Sequence, residues 1–226
     1  MALQFIQTDT EQLGADALAH EVIEKIKDGK NVLWLVPGGS NIPISVKIMN
    51  AIRAAVTEAE LEKLFVTLTD ERYGPVGHAD SNWQQLIDAG FIFPFNSLPV
   101  LFGGSLEDTV KAYGEHTEKL FANADYTIAQ FGIGADGHIA GVLPHTIGVA
   151  SRELAVGYES GALTRISLSL QTLSRLDSAY AFVFGASKAD AVHNLHTDMS
   201  FDDMPSQILR SLPRAHIYTD QNAIDK

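Results

Sequence analysis

Tyr126-Thr127-Ile128-Ala129-Gln130-Phe131-Gly132-Ile133-Gly134-Ala135-Asp136-Gly137-His138-Ile139-Ala140-Gly141 is the stretch on which the reading of this chain turns. Its first six residues form a hydrophobic run that reads as a buried strand. The run stops in closely spaced glycines with an acid and a histidine between them. Glycines after a strand let the backbone turn sharply and come close to a ligand. In an open α/β sheet the carboxyl ends of the strands are where ligands bind. Asp136 and His138 are two apart, which in an extended segment sends both side chains to one face. A carboxylate beside an imidazole fixes its tautomer and raises its basicity, as a general base requires. The same spacing also suits a glycine turn braced by Asp136 with an exposed His138, and spacing alone leaves both readings open.

The flanking sequence supplies similar strand-to-loop junctions. Asn31 to Val36 is too continuously apolar for a surface strand and suits one covered on both faces. It runs into Pro37-Gly38-Gly39-Ser40-Asn41-Ile42-Pro43, and a helix is predicted over Ile44 to Val56. Strand, Gly-Gly-Ser, helix is an arrangement in which free backbone N–H groups hold a phosphate. Ser40 or Asn41 acting as N-cap would compete for those groups. Leu64 to Thr69 reads as a strand delivering Asp70-Glu71-Arg72, followed by a Gly/Pro loop, Ser81-Asn82 and a helix from Trp83 to Ala89. Helices are predicted over Thr10 to Asp28 and Leu106 to Ala122. Leu163 to Leu170 alternates with period two, placing Arg165 on one face with Ser167 and Ser169. Tyr180 to Gly185 reads as another buried strand, and a helix opens at Ala186-Ser187-Lys188. A lysine there opposes the helix dipole, which points to Lys188 serving an anion. A last strand is expected over Arg214 to Thr219, whereas residues 147–159 give no clear element. Strands alternate with helices almost throughout, which predicts one α/β domain over residues 1–226 with a mainly parallel sheet.

Composition narrows the function. The chain has 226 residues and no cysteine, which excludes a disulfide scaffold, a thiol nucleophile and any Cys-ligated zinc or iron–sulfur site. This composition fits a cytoplasmic protein. The segment Met1 to Asp9 lacks the basic and apolar regions of a signal peptide. No apolar stretch approaches the roughly 20 residues that span a bilayer, so no membrane partner is expected. A net charge of −12 argues against nucleic acid. It also requires any anionic substrate to be held by a local cationic cluster. His193 and His196 sit three apart on a predicted helix without a clear third ligand, so surface histidines are expected and no metal site. His78 and His145 are the other histidines that the reading places near the cleft.

The order of motifs carries a resemblance. Gly38-Gly39-Ser40, Asp70-Glu71-Arg72 with Ser81-Asn82, Gly132 to His138, Arg165-Ile166-Ser167-Leu168 and Gly185-Ala186-Ser187-Lys188-Ala189 together resemble the 6-phosphogluconolactonase family over about residues 10–215. That family is related to the glucosamine-6-phosphate deaminase/isomerases. The resemblance implies a Rossmann-like α/β fold, with a mainly parallel sheet and helices on both faces. It implies hydrolysis of 6-phospho-D-glucono-1,5-lactone to 6-phosphogluconate in the oxidative pentose phosphate pathway, without metal or organic cofactor. The implied partner is a small phosphosugar lactone, and the protein would be a monomer or small homo-oligomer. Carried over by residue, His138 would be the general base and Asp136 its orienting group. Arg72, Arg165 and Lys188 would anchor the phosphate and sugar acid beside the backbone of Gly38, Gly39 and Ser40, with Asp70 and Asn82 also in the substrate site. The chain departs from the family pattern in three places. Gly141 stands where a serine is usual, His145 replaces a small residue, and Asn41 stands where threonine is usual. Ile139-Ala140 is similar to the deaminase turn, but the glutamate that follows there has no counterpart near Leu143-Pro144. The alternatives are therefore an amino-sugar-phosphate deaminase/isomerase or a non-catalytic phosphosugar-binding paralogue.

Overall fold

Val32–Val36 and Tyr126–Phe131 are buried at every position and lie side by side. Strands that are apolar on both faces must be covered on both, and these form the centre of a parallel sheet. The computed structural model describes residues 3–222; residues 1–2 and 223–226, the ends of the expected 1–226 domain and of the leader reading, lie outside the described residues. The chain begins with β1 (Leu3–Gln7), α1 (Gln12–Lys27) and β2 (Val32–Val36). A 3-10 turn (Gly39–Asn41) then runs into α2 (Ile42–Ala55), followed by α3 (Glu58–Leu61), β3 (Leu64–Leu68) and β4 (Asp70–Arg72). Next come α4 (Asn82–Asp88), α5 (Leu106–Asn123), β5 (Tyr126–Phe131), α6 (Ile147–Ala150), β6 (Ala155–Ser160) and β7 (Leu163–Leu168). The chain continues with α7 (Leu170–Leu173), β8 (Ser178–Val183), a 3-10 turn (Ala186–Lys188), α8 (Ala189–Asn194), a 3-10 helix (Pro205–Ser211) and β9 (Ala215–Thr219).

Six strands form one sheet in the order β1-β9-β8-β5-β2-β3, and every neighbouring pair is parallel. The chain passes from β2 outward to β3, then returns to β5 on the other side of β2. The carboxyl ends of β2 and β5 therefore flank the point where the winding reverses, and a parallel sheet opens a crevice there. The expected parallel α/β architecture is present, and of the six strands of this sheet the sequence reading missed β1, which pairs with β9 at the sheet edge. A continuous apolar core runs from Leu18 and Ile48 on the helices through both sheets to Ile166 and Leu168.

The acidic triplet behaves differently from its sequence reading. Asp70–Arg72 does not simply end β3; it leaves the parallel sheet as β4 and pairs antiparallel with β7. β7 pairs in turn with β6, which lies in the segment that gave no clear element, making a second sheet in the order β4-β7-β6. Glu71 anchors this departure. It is fully buried and accepts hydrogen bonds from the backbone N–H groups of Arg72 (2.7 Å), Asn82 (2.6 Å) and Trp83 (3.1 Å) and from Ser81 Oγ (3.0 Å). Asn82 and Trp83 open α4, so a carboxylate from another strand satisfies N–H groups that a helix start leaves free. Burial pushes the Glu71 carboxyl upward in pKa, against the pull of these four donors.

Glu71→Ala should leave these donors unsatisfied and lower stability by about 3 kcal/mol. Urea denaturation of the purified variant beside the wild type measures the change, and an unchanged midpoint would contradict the anchoring role.

Candidate active site

A cleft of about 340 Å³ opens at the carboxyl edge of the parallel sheet, at the reversal between β2 and β5. Gly38, Gly39 and Ser40 from the loop after β2 line one part of it, with His138 from the loop after β5. Asp70 and Arg72 enter from β4, Arg165 from β7, and Lys188 from the turn after β8. The structure thus gathers residues from five strand ends into one space. Asp136 stands behind His138 and does not line the cleft. Asn82 does not line it either: it is fully buried beneath Gly38, and its Nδ2 donates to the Asp70 backbone carbonyl at 2.9 Å. Its place is structural support for Asp70 and the first glycine loop.

The histidine loop is a closed turn and not the extended segment its spacing implied. Gly137 N–H donates to Gly134 O at 3.0 Å, and Gly134 N–H donates to His138 O at 2.9 Å. Asp136 Oδ1 accepts from the His138 backbone N–H at 3.2 Å and lies 2.6 Å from His138 Nδ1. A Cβ on Gly134 would overlap both His138 Nδ1 and Asp136 Oδ1, so the pair closes only over a glycine. Burial alone would raise the Asp136 pKa, but the positive charge and the hydrogen bonds of His138 outweigh it and hold the carboxyl below its usual value. An ionised Asp136 keeps the proton on Nδ1, leaving Nε2 as the nitrogen with a free lone pair.

The cations are arranged against ordinary sheet energetics. Arg72 and Arg165 are direct cross-strand partners in β4 and β7. Like charges directly opposite one another destabilise a sheet. Among the described residues no ion pair engages Arg72, Arg165 or Lys188. The Nε atoms of both arginines are buried without a partner, while Arg72 Nη1 is steadied by the Asp80 carbonyl at 3.2 Å. His78, expected near the cleft, instead sits behind this arginine with Nε2 2.9 Å from the Arg72 carbonyl. Neither Ser40 nor Asn41 caps α2 through its side chain, so the competition for its first N–H groups does not arise.

The atypical residues after His138 also find their places. A Cβ on Gly141 would lie 2.9 Å from Ser167 Cβ and 3.0 Å from Asp70 Cβ, and Ser167 Oγ accepts the Gly141 N–H at 3.1 Å. The missing serine therefore leaves no empty space, because β7 supplies a hydroxyl across the gap. His145 adopts a positive φ of 59°, a conformation that favours the small residue usual there. Its ring turns to the surface, with Nδ1 2.8 Å from Asp202, and the hydrogen bond and charge of that carboxylate raise the imidazole pKa. His196, one of the two helix histidines, stacks on Phe5 with ring centroids 3.8 Å apart. Among the polar cleft residues, Glu11 and Asn41 escaped the sequence reading of the site. Glu11 reaches it from the start of α1 and pairs with Lys47 at 3.0 Å, with no local signal to mark it. Asn41 was visible beside the glycine loop, but its neighbours in space were not.

A parallel α/β sheet with a cation-lined cleft at its reversal point defines the class: an α/β fold of the doubly wound kind. The family model described as glucosamine-6-phosphate isomerases/6-phosphogluconolactonase matches residues 8–217, and the chain belongs to that family. The 6-phosphogluconolactonase of Mycobacterium tuberculosis is 26% identical over 181 residues, covering 73% of this chain and 72% of that protein. The solved 6-phosphogluconolactonase of Thermotoga maritima superposes with a TM-score of 0.76 at 17% identity, covering 98% of this chain and 99% of that one. A solved monomeric glucosamine-6-phosphate deaminase superposes with a TM-score of 0.74 at 19% identity, covering 99% and 98%. At such identities the structural likeness shows the fold, which both branches of the family share. Among the described residues no helix is long and apolar enough to cross a membrane.

Gly134→Ala should break the Asp136–His138 hydrogen bond while far-UV circular dichroism stays as in the wild type. Imidazole nitrogen NMR shifts of His138 report the tautomer; wild-type shifts in the variant would show that the turn tolerates a methyl group.

Proposed function

We propose that this protein hydrolyses 6-phospho-D-glucono-1,5-lactone to 6-phospho-D-gluconate. The observation that carries the reading is the pair of unpaired, directly opposed arginines, Arg72 and Arg165, sharing a cleft with Lys188 and the Asp136-oriented His138. Opposed guanidinium groups are relieved when an anion binds between them, and a guanidinium matches a phosphate in geometry. The name 6-phosphogluconolactonase borne by the Mycobacterium tuberculosis relative supports the lactone as substrate.

The chemistry follows from what an ester needs. With Nδ1–H held by Asp136, His138 Nε2 takes a proton from water as the water oxygen adds to the lactone carbonyl. The tetrahedral oxyanion then collapses, the bond to the ring oxygen breaks, and that oxygen takes the proton from His138. The product acid ionises at neutral pH and releases one proton. Phosphate binding remote from the reacting carbon positions the carbonyl and converts binding energy into rate. Asp70 is the feature a deaminase/isomerase would use, as a buried carboxyl facing the same cleft. The absence of an acid near Leu143-Pro144 weighs for the lactonase.

The direct test is the hydrolysis rate of freshly generated 6-phosphogluconolactone above the spontaneous background, with unphosphorylated gluconolactone alongside. Fast, phosphate-dependent turnover is expected. Turnover of glucosamine 6-phosphate instead would favour the isomerase branch, and neither reaction would leave a binding protein. His138→Ala should lower kcat by roughly 10²–10⁴-fold, the range for loss of a general base; a near-normal rate would remove His138 from the mechanism. Lys188→Ala should chiefly raise KM for the phosphorylated lactone, and an unchanged KM would refute its role as anchor.

A further inference from the structure

Asn41 has the features of a catalytic donor that no motif reading assigns. It is 5% exposed and lines the cleft. Its backbone carbonyl accepts from Ser45 Oγ and from Gln130 Nε2, both at 3.2 Å, and these buried partners fix the residue between α2 and β5. Among the described residues its side chain makes no hydrogen bond, and Oδ1 is buried without a partner. Oδ1 is an acceptor and would not meet an oxyanion; the group a ligand acceptor can engage is Nδ2, which donates to no protein acceptor among the described residues.

Gly132 fixes where Nδ2 stands. A Cβ on Gly132 would overlap Asn41 Nδ2, just as one on Gly134 would overlap His138 Nδ1. Gly132 and Gly134 flank Ile133, which bridges antiparallel to Ile139, so this short piece is extended. Positions two apart on an extended chain face the same side. Asn41 Nδ2 and the His138 imidazole therefore stand on one face, separated by about two residues of extended chain, roughly 7 Å. A base sits about 3 Å from its water and the water about 3 Å from the carbonyl carbon. A donor for the oxyanion lies about 3 Å from the oxygen. Bent at the carbonyl carbon, that sequence spans a distance of this order.

We propose that the Asn41 side-chain amide donates to the lactone carbonyl oxygen as it becomes the tetrahedral oxyanion, opposite the water activated by His138. This rests on the lactonase reading above. No atom is transferred to Asn41; its N–H stabilises the charge formed when water adds and lost when the ring C–O bond breaks.

The test compares wild type, Asn41→Ala and Asn41→Leu, the second keeping most of the volume while removing the donor. Steady-state hydrolysis of 6-phosphogluconolactone gives kcat and KM, and calorimetric binding of 6-phosphogluconate reports fold and phosphate anchoring. Both variants should lose about 10²–10³-fold in kcat, the range for one oxyanion donor, with KM and product affinity within a few-fold of wild type. If either variant binds product normally and keeps kcat within threefold (~3), the role is overturned. A rise in KM alone also overturns it, because it would make Asn41 a ground-state anchor. No turnover by the wild type would remove the lactonase reading, and this role with it.

Discussion

The site depends on close approach at the reversal point of the parallel sheet. Where β2 and β5 end side by side, side chains from four other places must enter a space already bordered by backbone. They can do so because Gly132 and Gly134 have no Cβ where Asn41 and the Asp136–His138 pair stand. A methyl group at either position would displace a functional group, and the surrounding core is too densely packed to yield. The glycines therefore act less as flexible links than as vacated positions, and the geometry of the Asp136–His138 pair is set by what is missing beside it.

Around that steric arrangement the electrostatics are deliberately incomplete. The chain carries a net charge of −12, with carboxylates in ample supply, yet Arg72, Arg165 and Lys188 enter no ion pair among the described residues. Glu71 shows the contrast. It lies next to Arg72 in sequence, but its carboxylate is saturated by the start of α4 and cannot neutralise the guanidinium. The acid adjacent to Arg72 in the chain is thus given another task, while Asp70 and Glu11 line the cleft without forming an ion pair to its cations among the described residues.

The substitutions that set this chain apart from the family pattern are absorbed unequally. At Gly141 the neighbouring strands fill the space with Ser167 and Asp70, so no gap is left there. At His145 a larger residue is accommodated by turning outward to Asp202 from a left-handed backbone conformation. Asn41 is neither filled in nor turned away: it is buried in the cleft wall with an unpartnered amide. The fold is shared by lactonases and a deaminase, so the chemistry is carried by such local choices and not by the architecture.

The sequence by itself determined the parallel α/β architecture, because continuous apolar runs at Val32–Val36, Tyr126–Phe131 and Tyr180–Val183 can be buried only in a sheet covered on both faces. It also marked the glycine loops, His138 and Lys188, since each sits at a strand end or helix start where local rules already point to a ligand, whereas the role of Arg165, inside β7, came from the family resemblance alone. The second sheet was not legible. β4 is three residues long and β6 lies in a segment without strong periodicity, so their pairing with β7 is decided by partners distant in sequence. The same holds for the roles of Asn82 and Asn41. Both are short polar residues beside a turn, and sequence assigns such residues to caps or surfaces. Only the tertiary structure decided that one is buried under Gly38 as support and the other faces Gly132 in the cleft, because which space a missing Cβ opens is a property of the assembled backbone.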